Sequence, residues 1–290
     1  RIAALYCKRR RKMSVKVNNL SNQNRRIIHA LGCFKVLEYE KDLSVSAFNA
    51  QTEYFMSKMD VRRRQVIAEL NGNSVITQAG AMQWTAGAVR ATSGIKGVGD
   101  LLGKLVKGVV TKESAVKPEY TGTGLLVLEP TYKFIVLQEV SEWGCGMTVE
   151  DGMFLACEGT VQRNITARSN ISSAVAGGEG LFNLSLAGRG VAVLESNVPA
   201  DELIEVELDN DELKIDGNLA VCWTSSLKFT VERTTRSLAG SAVSGEGLVN
   251  VYRGTGKVLM CPVAPTESRY AAANTMSAKA AAKNSNTFGY

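Results

Sequence analysis

Apolar and polar residues alternate with a period of two in several segments of the chain. This alternation, held over four to eight residues, is typical of half-buried β-strands. The clearest segments are ELIEVELD (202–209), LKIDG (213–217) and SLKFTVER (226–233), and YKFIVLQEV (132–140) adds a continuous apolar run of strand length. Gly or Asp residues separate many such segments at short intervals, and this spacing favours an all-β sandwich or barrel.

One strand signal occurs three times at an equal interval. A Gly-x-Gly turn followed by an apolar strand is present in YTGTGLLVLEP, LAGRGVAVLES and YRGTGKVLMCP, and the first glycines of the three motifs are 66 residues apart. The turn glycines are Gly122 and Gly124, Gly188 and Gly190, and Gly254 and Gly256. Equal spacing of this kind predicts three tandem copies of one β unit, arranged with pseudo-threefold symmetry.

Two other motifs alternate with the Gly-x-Gly motif. An Asx-Gly turn before a short apolar strand contains Gly72, Gly152 or Gly217, and the spacing predicts that Cys157 and Cys222 take the same place in two copies. A glutamate precedes each Gly-x-Gly motif, at Glu113, Glu179 and Glu246. We interpret these carboxylates as acceptors for backbone donors at the turn entrances, with a symmetric carboxylate site as the alternative.

The first copy is longer than the other two. Gly72 and Gly152 are 80 residues apart, whereas Gly152 and Gly217 are 65 apart. The extra segment, GVGDLLGKLVKGVV, has apolar residues at helical spacing and predicts an inserted amphipathic helix near residues 98–110. Its apolar stripe consists of Val98, Leu101, Leu102, Leu105, Val106, Val109 and Val110. The helix is expected to dock on its own sheet or a neighbouring subunit, and binding to a membrane surface or a partner is the alternative.

These motifs divide the chain into five predicted segments. They are an irregular leader (1–29), unit 1 with the inserted helix (30–118), unit 2 (119–184), unit 3 (185–263) and an Ala-rich tail (264–290), irregular or helical.

The net charge of +6 lies in the leader. Residues 1–12 contain six basic residues and no acidic residue, so the chain is neutral from Met13 onward. A neutral body lacks the electrostatic footprint of a phosphate binder, and nucleic acid is therefore a disfavoured partner. We interpret Met13 as the natural start, with a polybasic arm that binds RNA or anionic lipid as the alternative.

The residues that carry most metal and nucleophile chemistry are sparse. His29 is the single histidine, and none of the six cysteines forms a Cys-x-x-Cys pair. This inventory predicts no metal, no cofactor and no catalytic site. The cysteines are expected to be free thiols in a reducing cytoplasm. Arg62, Arg63 and Arg64 are expected to form a solvated strand flank, with phosphate contact as the alternative.

Five segments resemble the bacterial branch of the altered-inheritance-of-mitochondria (twenty-four) family. They are ELNGNSVITQAGAMQW, GVGDLLGKLVKG, YTGTGLLVLEPTYKFIVL, GGEGLFNLSLAGRGVAVLES and GEGLVNVYRGTGKVLM, within residues 30–263. The resemblance implies three copies of a shortened double-stranded β-helix and assembly into a homo-oligomeric ring. The bacterial members have no assigned reaction, and the mitochondrial members are linked to inner-membrane organisation.

That family is also described as similar to tryptophan RNA-binding attenuator protein, which implies binding of RNA or a small ligand. No Lys or Arg occupies matching positions in all three copies, which argues against this activity here. The sequence therefore predicts a non-enzymatic, homo-oligomeric β scaffold, with a trimer as the expected size. Its location is expected to be cytoplasmic or at a membrane periphery, and a protein or membrane surface is its expected partner. An attenuator-type binder of RNA or a small ligand is the alternative.

Overall fold

The computed structural model describes residues 15–92, 117–167, 182–233 and 248–264. These residues form an all-β fold with one short α-helix, α1 (Ala50–Lys58), between its second and third strands. The strands of the first half are β1 (Arg25–Leu31), β2 (Phe34–Tyr39), β3 (Arg64–Thr77), β4 (Met82–Thr92), β5 (Glu119–Leu128), β6 (Phe134–Glu139) and β7 (Met147–Val149). The strands of the second half are β8 (Phe154–Glu158), β9 (Val161–Ala167), β10 (Phe182–Gly188), β11 (Val191–Ser196), β12 (Ile204–Asp216), β13 (Ala220–Thr224), β14 (Lys228–Arg233) and β15 (Leu248–Met260).

The strands form two antiparallel sheets. The first has the order β1-β2-β3-β8-β11-β6, with β5 and β4 added on the other side of β3. The second has the order β12-β15-β13-β7-β10-β9, with β14 also paired to β15. Short 3-10 helices (Val140–Trp143 and Ala200–Glu202) lie in the connections.

Strand pairing sorts most of the chain into three three-stranded groups, each with a Gly-x-Gly strand in its centre. Group 1 has β5 between β3 and β4, and group 3 has β15 between β12 and the pair β13 and β14. In group 2 every strand is interrupted. Its centre is β10 and β11, flanked by β7 and β6 on one side and by β9 and β8 on the other.

The groups share their hydrogen bonding as well as their strand order. The backbone N–H groups of Glu129, Glu195 and Cys261, each five residues after the second glycine of its Gly-x-Gly motif, donate to the carbonyls of Ala81, Met153 and Leu219, with N···O distances of 2.7, 2.7 and 2.8 Å. The pairing also slips by one residue in each group, at Gln83, Leu155 and Val221. These bulges define equivalent positions in the three groups.

The bulges correct the predicted equivalence of two cysteines. Because Leu155 and Val221 are equivalent, Cys157 corresponds to Trp223, and Cys222 corresponds to Ala156. The predicted equivalence of the two cysteines was wrong by one residue. Gly217 lies four residues before the bulge at Val221, whereas Gly152 lies three residues before the bulge at Leu155.

The Asx-Gly motif is also not equivalent in all three places. Gly152 and Gly217 lie in turns between strands, with φ of 77° and 75°. Gly72 instead lies inside β3, at a bulge between Asn71 and Ser74. The corresponding turn of group 1 is at Gly80, with φ of 79°, between β3 and β4. An Asn-Gly pair signals positive φ equally well at a bulge and at a turn, so the sequence favoured the wrong glycine.

The Gly-x-Gly motifs are bends rather than turns in two groups. Gly122 and Gly124 lie inside β5, and Gly254 and Gly256 lie inside β15. Gly188 and Gly190 lie where β10 ends and β11 begins, and here the chain passes from the second sheet to the first. All six glycines have positive φ.

Several predicted segment boundaries differ from the structure. The boundary between residues 118 and 119 separates β5 from its partners β3 and β4, and the boundary between 184 and 185 falls inside β10. The leader was predicted to be irregular, but its residues from Arg25 onward form most of β1. The predicted helix near 98–110 and the tail beyond residue 264 lie outside the described residues.

The core is continuous across the groups. The largest apolar cluster centres on group 2, with Trp143, Met147 and Leu194 in its interior, and includes Ile76 of group 1 and Val221 of group 3. A second cluster fills group 1 and a third fills group 3 around Trp223 and Tyr252. Group 2 is therefore packed from both sides.

Gly122 and Gly254 offer a matched test of this backbone geometry. Both have similar φ, 129° and 124°, but a Cβ on Gly122 would lie 2.0 Å from the carbonyl oxygen of Ala88, and a Cβ on Gly254 would have no atom nearer than 3.7 Å. Gly254→Ala should lower the free energy of unfolding by about 1–3 kcal/mol through backbone strain alone. Gly122→Ala should cost about 1–3 kcal/mol more because of the clash. Urea denaturation measures both, and equal losses would contradict this geometry.

Candidate functional site

In the described part of the fold, six strands pair on one side only (β1, β4, β6, β9, β12 and β14), and two of these open edges lie at the ends of the row of groups. One is the outer edge of β4 at residues 83–87, since β4 pairs with β5 alone. The other is the outer edge of β12 at residues 212–216, since β12 pairs with β15 alone. We call these the β4 edge and the β12 edge. Unpaired N–H and C=O groups on an edge strand are able to bind another strand.

Equivalent edges inside the chain are filled. The end of β3 in group 1 pairs with β8 of group 2, and β7 of group 2 pairs with β13 of group 3. We call these two contacts the internal junctions. At each junction a flanking strand of one group meets the opposite flanking strand of the next group. The β12 edge corresponds to the paired edges of β3 and β7, and the β4 edge corresponds to the paired edges of β8 and β13. Neither the β12 edge nor the β4 edge has a partner strand among the described residues.

Burial reflects the missing partners. Ala156 of β8 and Cys222 of β13 are fully buried, whereas their equivalent in β4, Trp84, is only partly buried and its neighbours Gln83 and Thr85 are exposed. The three residues of β7 are buried, while Lys214 and Asp216 of β12 are exposed. The strands at the two ends of the array, β4 and β12, therefore expose side chains at positions that are buried in β7, β8 and β13.

The two open edges differ in charge. β12 carries six acidic residues and one lysine: Glu205, Glu207, Asp209, Asp211, Glu212, Asp216 and Lys214. β4 carries Arg90 and no acidic residue. Arg253 of β15 holds β12 in place by pairing with Glu212 at 2.9 Å, and it also pairs with Glu232 of β14, where its hydrogen bonds lower the pKa of that carboxyl to about 2.

A buried ion-pair cluster next to β2 fixes the start of group 1. The guanidinium of Arg64 is 2% exposed, donates to Glu38 at 2.9 Å and lies 3.8 Å from the ring centroid of Phe134 in β6. Arg62 donates to Glu38 and Glu40. The prediction of a solvated flank is therefore wrong for Arg64. Its side chain lies on the inner face of β3, and a run of three arginines gives no sign of which one is buried. The charges in this cluster are paired and join group 1 to group 2.

The thiols are placed as structural groups. Cys157 and Cys222 are fully buried, and burial raises the pKa of Cys157 to about 11 and raises that of Cys222 as well. Burial also raises the pKa of Cys33, with a further contribution from the nearby carboxylate of Glu158. Cys33, Cys145, Cys157, Cys222 and Cys261 are all free. A thiol with a raised pKa is a poor nucleophile at neutral pH.

Thiol labelling should separate these cysteines. With iodoacetamide at pH 8, Cys145, which is exposed, should be alkylated within minutes, and Cys157 and Cys222 should react only after unfolding. Peptide mass mapping with and without urea gives the rates. Labelling of folded Cys222 at the rate of Cys145 would show that the group 3 core is open.

The three predicted carboxylates, Glu113, Glu179 and Glu246, and the predicted helix residues Val98 to Val110 all lie outside the described residues. Within the described residues, two other glutamates accept hydrogen bonds from backbone N–H groups, which is the role predicted for these carboxylates. Glu158 accepts from the backbone N–H of Cys33 at 2.9 Å and of Val191 at 3.1 Å, and Glu139 accepts from the N–H of Gly190 at 3.1 Å. The sequence prediction missed both. Glu139 lies opposite Val191, at the same register position as Glu69 opposite Leu125 and Glu207 opposite Lys257, so a glutamate before an apolar residue in each flanking strand was the available signal.

Removal of Glu158 should be costly. Glu158→Ala leaves two partly buried N–H groups without an acceptor, so the free energy of unfolding should fall by about 2–3 kcal/mol. Glu142→Ala, at an exposed position on the 3-10 helix, serves as the control and should change stability by less than about 0.5 kcal/mol. Thermal and urea unfolding measure both variants, and equal stability would show that water replaces the carboxylate.

No group of three or more His, Cys, Asp and Glu side chains within the described residues has the geometry to hold a metal ion. His29 is exposed on β1. Among the helices in this part of the chain, none has the length and apolar character needed to cross a membrane.

The described residues form an all-β protein of two antiparallel sheets, in which β4 and β12 each leave one edge unpaired. A family model described as "Mitochondrial biogenesis AIM24" matches residues 59–263. The chain therefore belongs to the AIM24 family.

Two Streptococcus pyogenes proteins are similar to this chain. An uncharacterized protein of serotype M6 is 31% identical over 196 residues, which cover 65% of this chain and 76% of that protein. The crystal structure of another S. pyogenes protein superposes with a TM-score of 0.56 at 25% identity and covers 75% of this chain and 95% of that one. Neither description states an activity.

Proposed function

We propose that this protein is a non-enzymatic, homo-oligomeric β scaffold. It is built from three copies of one short double-stranded β-helix unit, corresponding to groups 1, 2 and 3, and acts in the cytoplasm by presenting a surface to a protein or membrane partner. The observation that carries the proposal is the pair of open edges. An array whose internal junctions are filled and whose two ends are open is incomplete as a single chain.

The shared features of the groups support the repeat part of the proposal. The three equivalent bulges and the three equivalent hydrogen bonds from Glu129, Glu195 and Cys261 give each group the same register. Two positive-φ glycines at the same place in each Gly-x-Gly motif add a third shared feature. A unit of three short strands does not bury enough apolar surface alone, so such units are stable when they are stacked.

Oligomer size tests the proposal directly. Light scattering coupled to size exclusion at micromolar concentration should give a trimer, with three times the chain mass of 31.2 kDa. A monomeric mass over this concentration range would contradict the scaffold function, whatever partner the protein has.

RNA binding is the competing outcome. A protein without residues 1–12 is neutral overall and should not shift mixed RNA in a gel at moderate salt. Tight, salt-sensitive binding by that truncated protein would favour the attenuator-type alternative over the scaffold.

A further inference from the structure

The two internal junctions use the same hydrogen bonds. At the first, the N–H of Gln78 donates to Leu155 at 2.8 Å and the N–H of Gly159 donates to Ser74 at 2.8 Å. At the second, the N–H of Glu150 donates to Val221 at 3.0 Å and the N–H of Ser225 donates to Gly146 at 2.9 Å. Between these outer bonds the strands pair over three residues at each junction. The array therefore repeats one defined contact.

The register of that contact transfers to the open edges. Within their own groups, Ile76, Thr148 and Lys214 each pair with the residue that lies five positions before the second glycine of the Gly-x-Gly motif. These partners are Glu119, Ser185 and Val251. Lys214 of β12 is thus the equivalent of Ile76 and Thr148. At the junctions these two residues pair with Cys157 and Trp223.

The bulges give the other half of the register. Thr85 lies two residues after the bulge at Gln83, as Cys157 does after Leu155 and Trp223 does after Val221. Thr85 of the β4 edge is therefore the position that faces Lys214.

We propose that the β12 edge of one copy binds the β4 edge of a second copy as an antiparallel strand pair, in the register of the internal junctions. Lys214 then faces Thr85, Ile215 faces Trp84 and Leu213 faces Ala86. The N–H of Asp216 donates to the carbonyl of Gln83, and the N–H of Gly87 donates to the carbonyl of Glu212. This inference rests on the proposed oligomeric scaffold and names the contact that builds it.

Charge favours this pairing over the symmetric one. Two β12 edges would bring Asp211, Glu212 and Asp216 of each copy together, and like charges across a strand pair are destabilising. The β4 edge has no acidic residue, so it is the compatible partner. Because the two edges differ, the contact is head to tail, and it closes into a ring when the rotation between copies allows.

A proline at one edge position tests the contact without disturbing the group. The N–H of Thr85 points away from β5 and is free to donate to Lys214 of the second copy, so Thr85→Pro removes a junction bond while the ladder to β5 remains. Ala91→Pro is the matched control, since its N–H has the same orientation on β4 but lies beyond the junction. Thr85→Pro should raise the dissociation constant of the oligomer by about tenfold or more, and Ala91→Pro should leave it unchanged.

Disulfide trapping tests the register. In a background with Cys7 and Cys145 replaced by Ser, a Leu213→Cys protein is mixed with a tagged Ala86→Cys protein and oxidised. The two positions form a non-hydrogen-bonded pair, in which side chains approach closely, so the mixed disulfide should form. Ala88→Cys in place of Ala86→Cys is the control. It lies on the same face of β4 but about 7 Å further along, and it should give little product.

The outcomes separate this inference from the proposed function. An oligomer that dissociates with Thr85→Pro and is trapped through Ala86→Cys supports both. A wild-type oligomer that is insensitive to Thr85→Pro, or that is trapped equally through Ala88→Cys, overturns the contact while the scaffold function stands. A wild-type monomer overturns both. Melting temperatures of the proline variants, compared with wild type at matched concentration, identify any loss of folding.

Discussion

Backbone hydrogen bonding at strand edges is the constraint that organises this fold. An N–H or C=O group on an edge needs a protein or water partner, and the cheapest way to supply one is another strand. In group 2, β8 and β7 are paired on both sides, because β3 of group 1 and β13 of group 3 supply their outer partners. At the ends of the array, β4 of group 1 and β12 of group 3 are paired on one side only among the described strands. Burial is highest at the internal junctions, where Thr77, Ala156 and Cys222 are fully buried, and lower on β4 and β12.

The strand content of the fold was predictable from the sequence, because alternation and glycine punctuation are local signals. The Gly-x-Gly motifs all have positive φ at both glycines, inside β5 and β15 and between β10 and β11. The sequence did not distinguish a bend inside a strand, as at Gly122, from a break between strands, as at Gly188. Whether a strand continues through a positive-φ glycine depends on its neighbours, and those neighbours come from distant parts of the chain.

The misplaced Asx-Gly turn has a similar cause. Gly72 and Gly80 both have positive φ and lie eight residues apart, and only strand pairing shows which one precedes the flanking strand. Arg64 was misjudged because its burial depends on Glu38 and Phe134, which come from two other strands. The candidate edges could not be derived from the sequence at all. An edge is defined by the partner it lacks, and no residue pattern records an absent neighbour.

The division of group 2 between the two sheets has a consequence for the order in which the protein opens. Its central strand leaves the second sheet at Gly188 and enters the first at Val191, and its outer strands change sheet between β6 and β7 and between β8 and β9. With the turn from β7 to β8, the chain crosses between the sheets four times within this one group. Neither sheet is able to separate from the other without melting that group. The two sheets should behave as a single cooperative unit in native-state hydrogen exchange, in which the amides of β8 and β11 open only when those of β7 and β10 do.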